Sequence, residues 1–266
     1  MDLGLRDKVA IVTGGGSNIG RAITLALAEE GAKVAVAEID REAGERVTTL
    51  AREMGAPDAL LLPCDVTDRE QVEAMVKQVL ARWGAVHVLV NNVGWDRLCL
   101  FLEDSWEDME KKVRLNLWSV INCCRAVLPH MIEAGGGAIV NIGSDAGRMG
   151  EYREAVYSAC KGGVIALTKA LAREYGRYNV RVNCVCPGVT IPQTEEEVGS
   201  YSMWRGATEV ARFAAPEMRE RIIRAYPLRR LATPQEVAKA VVFLASDAAS
   251  FITGQTLSVS GGYTMM

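Results

Sequence analysis

Tyr157 and Lys161 stand four residues apart in the run Tyr157-Ser158-Ala159-Cys160-Lys161. On a helix, that spacing puts a phenol and an ammonium on one face. A free tyrosine ionises near ~10, too high for acid–base chemistry at neutral pH. An adjacent cation favours the phenolate. Bringing the value to about 7 takes about 4 kcal/mol of differential stabilisation. A lysine, helped by a positively charged cofactor ring, can supply that. The pair alone also fits an ordinary helix face, so the elements around it decide.

Those elements alternate. Residues 9–12, 33–37, 59–62, 86–90, 138–142, 180–185 and 257–259 read as short apolar strands. Between them come helical patterns: 19–30 closed by Gly31, 41–54, 68–83 followed by Gly84, two helices within 106–134, and 155–175. Thr233 and Pro234 read as N-cap and first position of a further helix. Continuous apolar strands alternating with helices predict an α/β, doubly wound parallel sheet covered on both faces. No linker or internal repeat divides the chain, and its length allows one domain or two. Residues 191–226 are the irregular stretch, with Glu195-Glu196-Glu197 followed by Tyr201, Met203, Trp204 and Arg205. A long excursion after a strand's carboxyl end is expected to cover a site.

The run Thr13-Gly14-Gly15-Gly16-Ser17-Asn18-Ile19-Gly20 joins the first strand to the first helix. In that context glycines let the backbone approach a pyrophosphate, and the helix N-terminus offers free N–H groups. Glu38 ends the second strand, where a carboxylate accepts from an adenosine ribose diol and repels a 2′-phosphate. Ser17 and Ile39 hold the places where a cation would neutralise that phosphate, and neither is basic. NAD is therefore expected over NADP. Asp65 with Val66 follows the third strand and could meet adenine. Asn91-Asn92-Val93-Gly94 follows the fourth and would wall the adenosine site.

The chain has 266 residues, 49% of them hydrophobic, and a formal net charge of −3. No global basic field attracts nucleic acid or anionic lipid. No run of 18 apolar residues suggests a membrane span, and the N-terminus lacks signal-peptide character. Seven cysteines without Cys-x-x-Cys, and two histidines, argue against a disulfide framework or a structural zinc site. A reducing cytoplasm is the expected compartment. Cys184 and Cys186 should share one buried strand face.

The ordered set of Thr13 to Gly20, Asp65, Asn91 to Gly94, Asn116, Ser144, Tyr157 with Lys161, Asn183, Pro187-Gly188, Phe251-Ile252-Thr253-Gly254-Gln255 and Gly261-Gly262 resembles the short-chain dehydrogenase/reductase family over essentially the whole length. The resemblance implies a single seven-stranded Rossmann-like domain over residues 1–266, usually a homotetramer. It implies Tyr157 as acid–base, Lys161 on the nicotinamide ribose, Ser144 on the substrate oxygen and Asn116 anchoring a proton-relaying water. Pro187, Gly188, Val189 and Thr190 would line the nicotinamide end. Three positions depart from the family pattern: Asn18 for a second glycine, Val93 for alanine, and Pro192 where a threonine commonly contacts the carboxamide. Thr190, Thr194 or the Val189 backbone could substitute for that threonine.

The expected reaction is hydride transfer between a secondary alcohol and nicotinamide, with a small-molecule substrate and no metal. Candidate substrate contacts are Trp95, Asp96, Arg97, Asp145, Arg148, Met149, Arg153, Tyr201, Met203, Trp204 and Arg205. The stretches 91–96, 143–148 and 154–157 resemble 2-hydroxycyclohexanecarboxyl-CoA dehydrogenases, which implies a β-hydroxyacyl-CoA substrate whose phosphates could meet arginines. A 3-oxoacyl carrier-protein reductase is the rival reading, disfavoured by Glu38. A catalytically silent nucleotide-binding subunit is the rival from another class.

Overall fold

The structure is a computed structural model and describes residues 2–205 and 216–266. Seven strands form one parallel sheet: β1 (Val9–Thr13), β2 (Lys33–Glu38), β3 (Ala59–Pro63), β4 (Val88–Asn91), β5 (Gly137–Ile142), β6 (Val180–Pro187) and β7 (Thr256–Val259). Their spatial order is β3-β2-β1-β4-β5-β6-β7. The chain winds outward from β1 to β3, then crosses back to β4, so the order reverses between β1 and β4. Ligands of such sheets bind outside the carboxyl ends at that reversal.

The strands are apolar because both faces are covered. On one face α1 (Asn18–Glu29), α2 (Arg41–Glu53) and Pro234–Ala245 pack against Val12, Val34, Val90 and Val140. On the other, α3 (Arg69–Trp83), α5 (Ser119–Glu133) and α7 (Ala155–Tyr175) pack against Ile11, Leu89, Ile139 and Val182. Between them in sequence lie α4 (Trp106–Val113) and a short α6 (Ala146–Met149). Pro216–Arg224 is α8 and Pro234–Ala245 is α9.

Local signals set the helix ends. Asp68 Oδ1 accepts from the N–H groups of Glu70 and Gln71 at the start of α3, and Gly84 closes it with φ +78°. Gly31, with φ +75°, follows α1 as expected.

Two boundaries differ from the sequence reading. The fourth strand starts two residues late, because the His87 side chain enters the ladder and its Nδ1 accepts from Val9 N–H at 2.9 Å. The two helices expected within 106–134 are one rod, joined by a π-helical turn, Arg114–Trp118. The buried Cys184 and Cys186 do share a face, with sulfurs 4.0 Å apart. No helix among the described residues is long and apolar enough to cross a membrane.

Candidate active site

The turn between β1 and α1 is held by its own backbone. Gly14 and Asn18 both have positive φ, +59° and +43°. Asparagine visits this region more readily than most residues, so Asn18 can replace glycine here. A Cβ on Gly20 would lie 2.0 Å from the Gly14 carbonyl oxygen, so α1 meets the turn at backbone contact. Asn92 Nδ2 donates to the carbonyls of Thr13 (3.1 Å) and Gly14 (3.2 Å), and Asn92 N–H donates to Thr13 Oγ1 (2.9 Å). Asn92 thus braces the turn from behind, while Ser17 and Ile19 open α1.

Glu38 is buried beside this turn. Its Oε2 accepts from Gly16 N–H at 3.0 Å, and its Oε1 accepts from Ile39 (2.9 Å) and Asp40 (3.1 Å) N–H. Burial raises the carboxyl above its ordinary value, against the pull of those three donors. Asp65 Oδ1 accepts from Thr67 N–H, and the carbonyl of buried Val66 accepts from Asn122. A Cβ-free cradle at a helix N-terminus, with a carboxylate at the next strand end, fits a dinucleotide.

The second cluster forms at the ends of β4 and β5. Ser144 follows β5, and its hydroxyl favours ionisation of the phenol of Tyr157 in the first turn of α7. Lys161 is one turn further along, buried, with Nζ donating to the Ile142 carbonyl at 2.9 Å. Asn116 occupies the π-helical turn and is fully buried. Such turns recur at functional sites. Asn116 Nδ2 donates to the carbonyls of Trp95 (2.7 Å) and Lys112 (2.9 Å), and its Oδ1 accepts from Trp95 N–H (3.1 Å). Gly94 lies between these groups: a Cβ there would come 2.9 Å from Asn116 Oδ1 and 3.3 Å from Lys161 Nζ.

Without a cofactor, the Tyr157 phenol is pushed up from its ordinary value. Burial is the main cause, the Glu154 charge adds to it, and Ser144 opposes. The Lys161 ammonium lies over the ring, 5.6 Å from its centroid, and burial lowers the lysine's own value. Without a ligand, burial thus disfavours the Tyr157 phenolate.

The nicotinamide end also differs. Val189 N–H donates to the Tyr226 hydroxyl at 2.9 Å, and Thr190 Oγ1 donates to the Gly188 carbonyl at 3.0 Å. Two of the three groups expected to hold a carboxamide, Val189 N–H and the Thr190 hydroxyl, are thus engaged inside the chain. Gly188 N–H is likewise paired with the Val259 carbonyl, next after Pro187 at the end of β6. Tyr226 stacks on Tyr263, centroids 5.1 Å apart, and the Tyr263 hydroxyl donates to Glu151 Oε2 at 2.7 Å. Sequence reading did not single out Tyr263, which folds back more than a hundred residues to reach Glu151.

The candidate substrate arginines are engaged elsewhere. Arg97 pairs with Asp108 at 2.5 Å, Arg153 donates to the Leu98 carbonyl, and Arg205 donates to Ser200 Oγ. Arg148 donates to the Thr256 carbonyl and pairs with Asp145, which accepts from Ser258 Oγ. Asn183 is scaffold, bonded to the Ile252 carbonyl and the Gln255 N–H. Met149 and Tyr201 are exposed.

Lys112 was missed. It is 1% exposed, with Nζ 2.7 Å from Asp104 Oδ2, 3.2 Å from Asp96 Oδ1 and 3.1 Å from the Arg97 carbonyl. Burial pulls this ammonium down, but the two carboxylates outweigh it and leave it above its ordinary value. Lys112 fastens residues 96–104 onto the helix that presents Asn116, and the Asp96 charge bears on Tyr157. The available signal was spacing: Lys112 is four residues before Asn116, on the same face.

The fold and this pair of clusters define a dinucleotide-binding oxidoreductase. A family model described as enoyl-(acyl carrier protein) reductase matches residues 14–264. The 3-oxoacyl-(acyl-carrier-protein) reductase of Chlamydia trachomatis serovar D is 38% identical over 259 residues, 97% of this chain and 98% of that protein. D-threitol dehydrogenase of Mycolicibacterium smegmatis is 38% identical over 265 residues, covering 99% and 95%. A 7α-hydroxysteroid dehydrogenase solved with NADH and 7-oxo-glycochenodeoxycholic acid superposes with a TM-score of 0.87 at 31% identity, covering 98% and 96%. The chain belongs to the short-chain dehydrogenase/reductase family.

Proposed function

We propose that this chain is an NAD-dependent oxidoreductase interconverting a secondary alcohol and a ketone. Tyr157 is the acid–base, Ser144 the donor to the substrate oxygen, Lys161 the cation below the phenol, and Asn116 the anchor of the proton exit. The observation carrying this reading is the approach of Asn116 and Lys161 to Gly94, with the Lys161 ammonium over the Tyr157 ring and Ser144 acting on its phenol.

The residues divide the chemistry. A bound nicotinamide dinucleotide supplies the hydride acceptor or donor. Gly14, Ser17, Asn18, Ile19 and Gly20 would take its pyrophosphate, Glu38 its ribose diol, and Asp65 and Val66 its adenine. Tyr157 gives its proton to a ketone oxygen in reduction and takes one from the alcohol in oxidation. Ser144 donates to the oxygen as negative charge develops. One Lys161 N–H is spent on Ile142, leaving donors for a ribose hydroxyl. A positive cofactor ring over the site would bring the Tyr157 phenol down from its raised value.

For the substrate, a neutral alcohol suits the surroundings better than an acyl-CoA. Asp96 and Glu154 both bear on Tyr157, and the nominated arginines already have partners. Reduction of a 3-oxoacyl carrier-protein thioester is the second reading, favoured by the 38% identical chlamydial reductase. Exposed Phe101, Leu102, Trp106 and Trp118 along one stretch support a homo-oligomer.

The test is NADH formation from a panel of secondary alcohols, with Tyr157→Phe as control. Turnover of a neutral alcohol, lost at least ~100-fold in the variant while NADH binding persists, is expected. Undiminished turnover in Tyr157→Phe would remove the tyrosine from the mechanism. Activity confined to NADPH with an acyl thioester would favour the second reading.

A further inference from the structure

The irregular stretch after β6 was expected to cover a substrate, and residues 206–215 of it lie outside the described residues. Its described first part returns to the nucleotide turn. Ser17 Oγ accepts from Gly199 N–H at 3.0 Å and donates to the Glu197 carbonyl at 3.4 Å. Asp40 Oδ2 accepts from Ser200 N–H at 2.5 Å, while its Oδ1 caps α2 by accepting from Ala43 N–H. The buried Glu197 side chain accepts from Gln193 N–H (2.7 Å) and Gln235 Nε2 (3.5 Å), and pairs with Arg21 (3.7 Å) in α1.

The fit between strap and turn is close. A Cβ on Gly199 would sit 3.2 Å from Asp40 Oδ2, 3.4 Å from Ser17 Cβ and 3.5 Å from Ala43 Cβ. Residues 197–200 therefore fill the gap between Ser17 on one side and Asp40 and Ala43 on the other. Ser17 and the residues just after Glu38 flank the position that a 2′-phosphate on an adenosine ribose would take.

We propose that residues 197–200, seated on Ser17 and Asp40, form a second cofactor-selecting element that closes the 2′-phosphate position and admits NAD in preference to NADP. The inference rests on the NAD reading above and adds to it a steric part that Glu38 does not provide. A 2′-phosphate, with about two negative charges, would have to expel the strap. That breaks the N–H bonds into Ser17 and Asp40 and leaves the phosphate among Glu38, Asp40 and Glu197. Arg21, on the adjoining helix, is already paired with Glu197. A free ribose diol is smaller and uncharged and asks for less displacement. Specificity is then built against the wrong cofactor as well as for the right one.

The experiment is fluorescence titration of NADH and NADPH, without substrate, on the parent protein, Gly199→Leu and Ser200→Pro. The leucine crowds the strap off Asp40 and Ser17; the proline removes the N–H that Asp40 accepts. The ratio Kd(NADPH)/Kd(NADH) should fall at least ~10-fold in each, through gained NADPH affinity, with NADH affinity held within roughly 3-fold. An unchanged ratio overturns the strap and leaves the NAD reading standing. A parent protein that binds NADPH more tightly than NADH sinks that reading first, and the inference with it. A measurement without variants guards against misfolding: trypsin cleavage after Arg205 should be faster with saturating NADPH than with saturating NADH. Equal rates contradict a strap that a 2′-phosphate displaces.

Discussion

At the glycine turn, main-chain contacts have settled the geometry before any ligand arrives. Glu38 already holds three backbone N–H groups, Asn92 two carbonyls, and Gly20 touches Gly14. At Tyr157 the positions are set but the charge is not. The Tyr157 side chain is half-buried, its phenol feels the charges of Glu154 and Asp96, and it is harder to ionise than a free tyrosine. A pyrophosphate needs only shape and N–H dipoles, which a backbone can build in advance. An acid–base group needs a pKa near the working pH, and here one contributor to that value belongs to the cofactor and not to the chain.

The largest effect on turnover that would sharpen this contrast is expected from Gly94→Ala. The new methyl enters between Asn116 and Lys161, so turnover should fall ~100-fold. NADH affinity, measured by fluorescence, should move far less. Equal loss of both would mean that the two clusters are not separately built.

Lys112→Met is next. It leaves Asp96 and Asp104 buried without their cation, a change worth about 3–5 kcal/mol. Thermal unfolding should register that loss. A variant as stable as the parent would show that the cluster does not hold residues 96–104 in place.

The smallest effect concerns Glu38→Gln. The folded carboxyl is raised above its unfolded value, so its contribution is full below the unfolded pKa and is lost as pH rises through the folded one. The stability of Glu38→Gln relative to the parent should therefore improve as pH rises from below 4 toward neutrality, then level off. A relative stability that falls over that interval would contradict the dominance of burial at Glu38.

The same contrast governs what could be read from the chain. The sheet was legible because buried parallel strands are built on uninterrupted apolar runs, such as residues 9–12 within β1 and 34–37 within β2. The glycine turn was legible because its context, strand before and helix after, is local. The meeting of Ser144, Tyr157, Lys161 and Asn116 was legible as an ordered set, although spacing alone showed only the last turn of it, from Tyr157 to Lys161. Lys112 was not, because a lysine on a polar helix looks like a solvated face until Asp96 and Asp104 close over it. The strap was not, because Ser17 and Gly199 are 182 residues apart and nothing local marks either. The rise of the Tyr157 phenol in the free chain was not legible for a related reason: a lysine four residues away says nothing of burial.

The central claim is that this phenol becomes a usable acid–base group only beside a bound dinucleotide. Ultraviolet difference titration of the parent protein against Tyr157→Phe, with and without NAD, tests it directly. The account predicts one phenol that ionises above the ordinary tyrosine value in the free protein and well below it with NAD bound, and that is missing from the variant. A phenol that stays protonated into strongly alkaline conditions with NAD in place would contradict it.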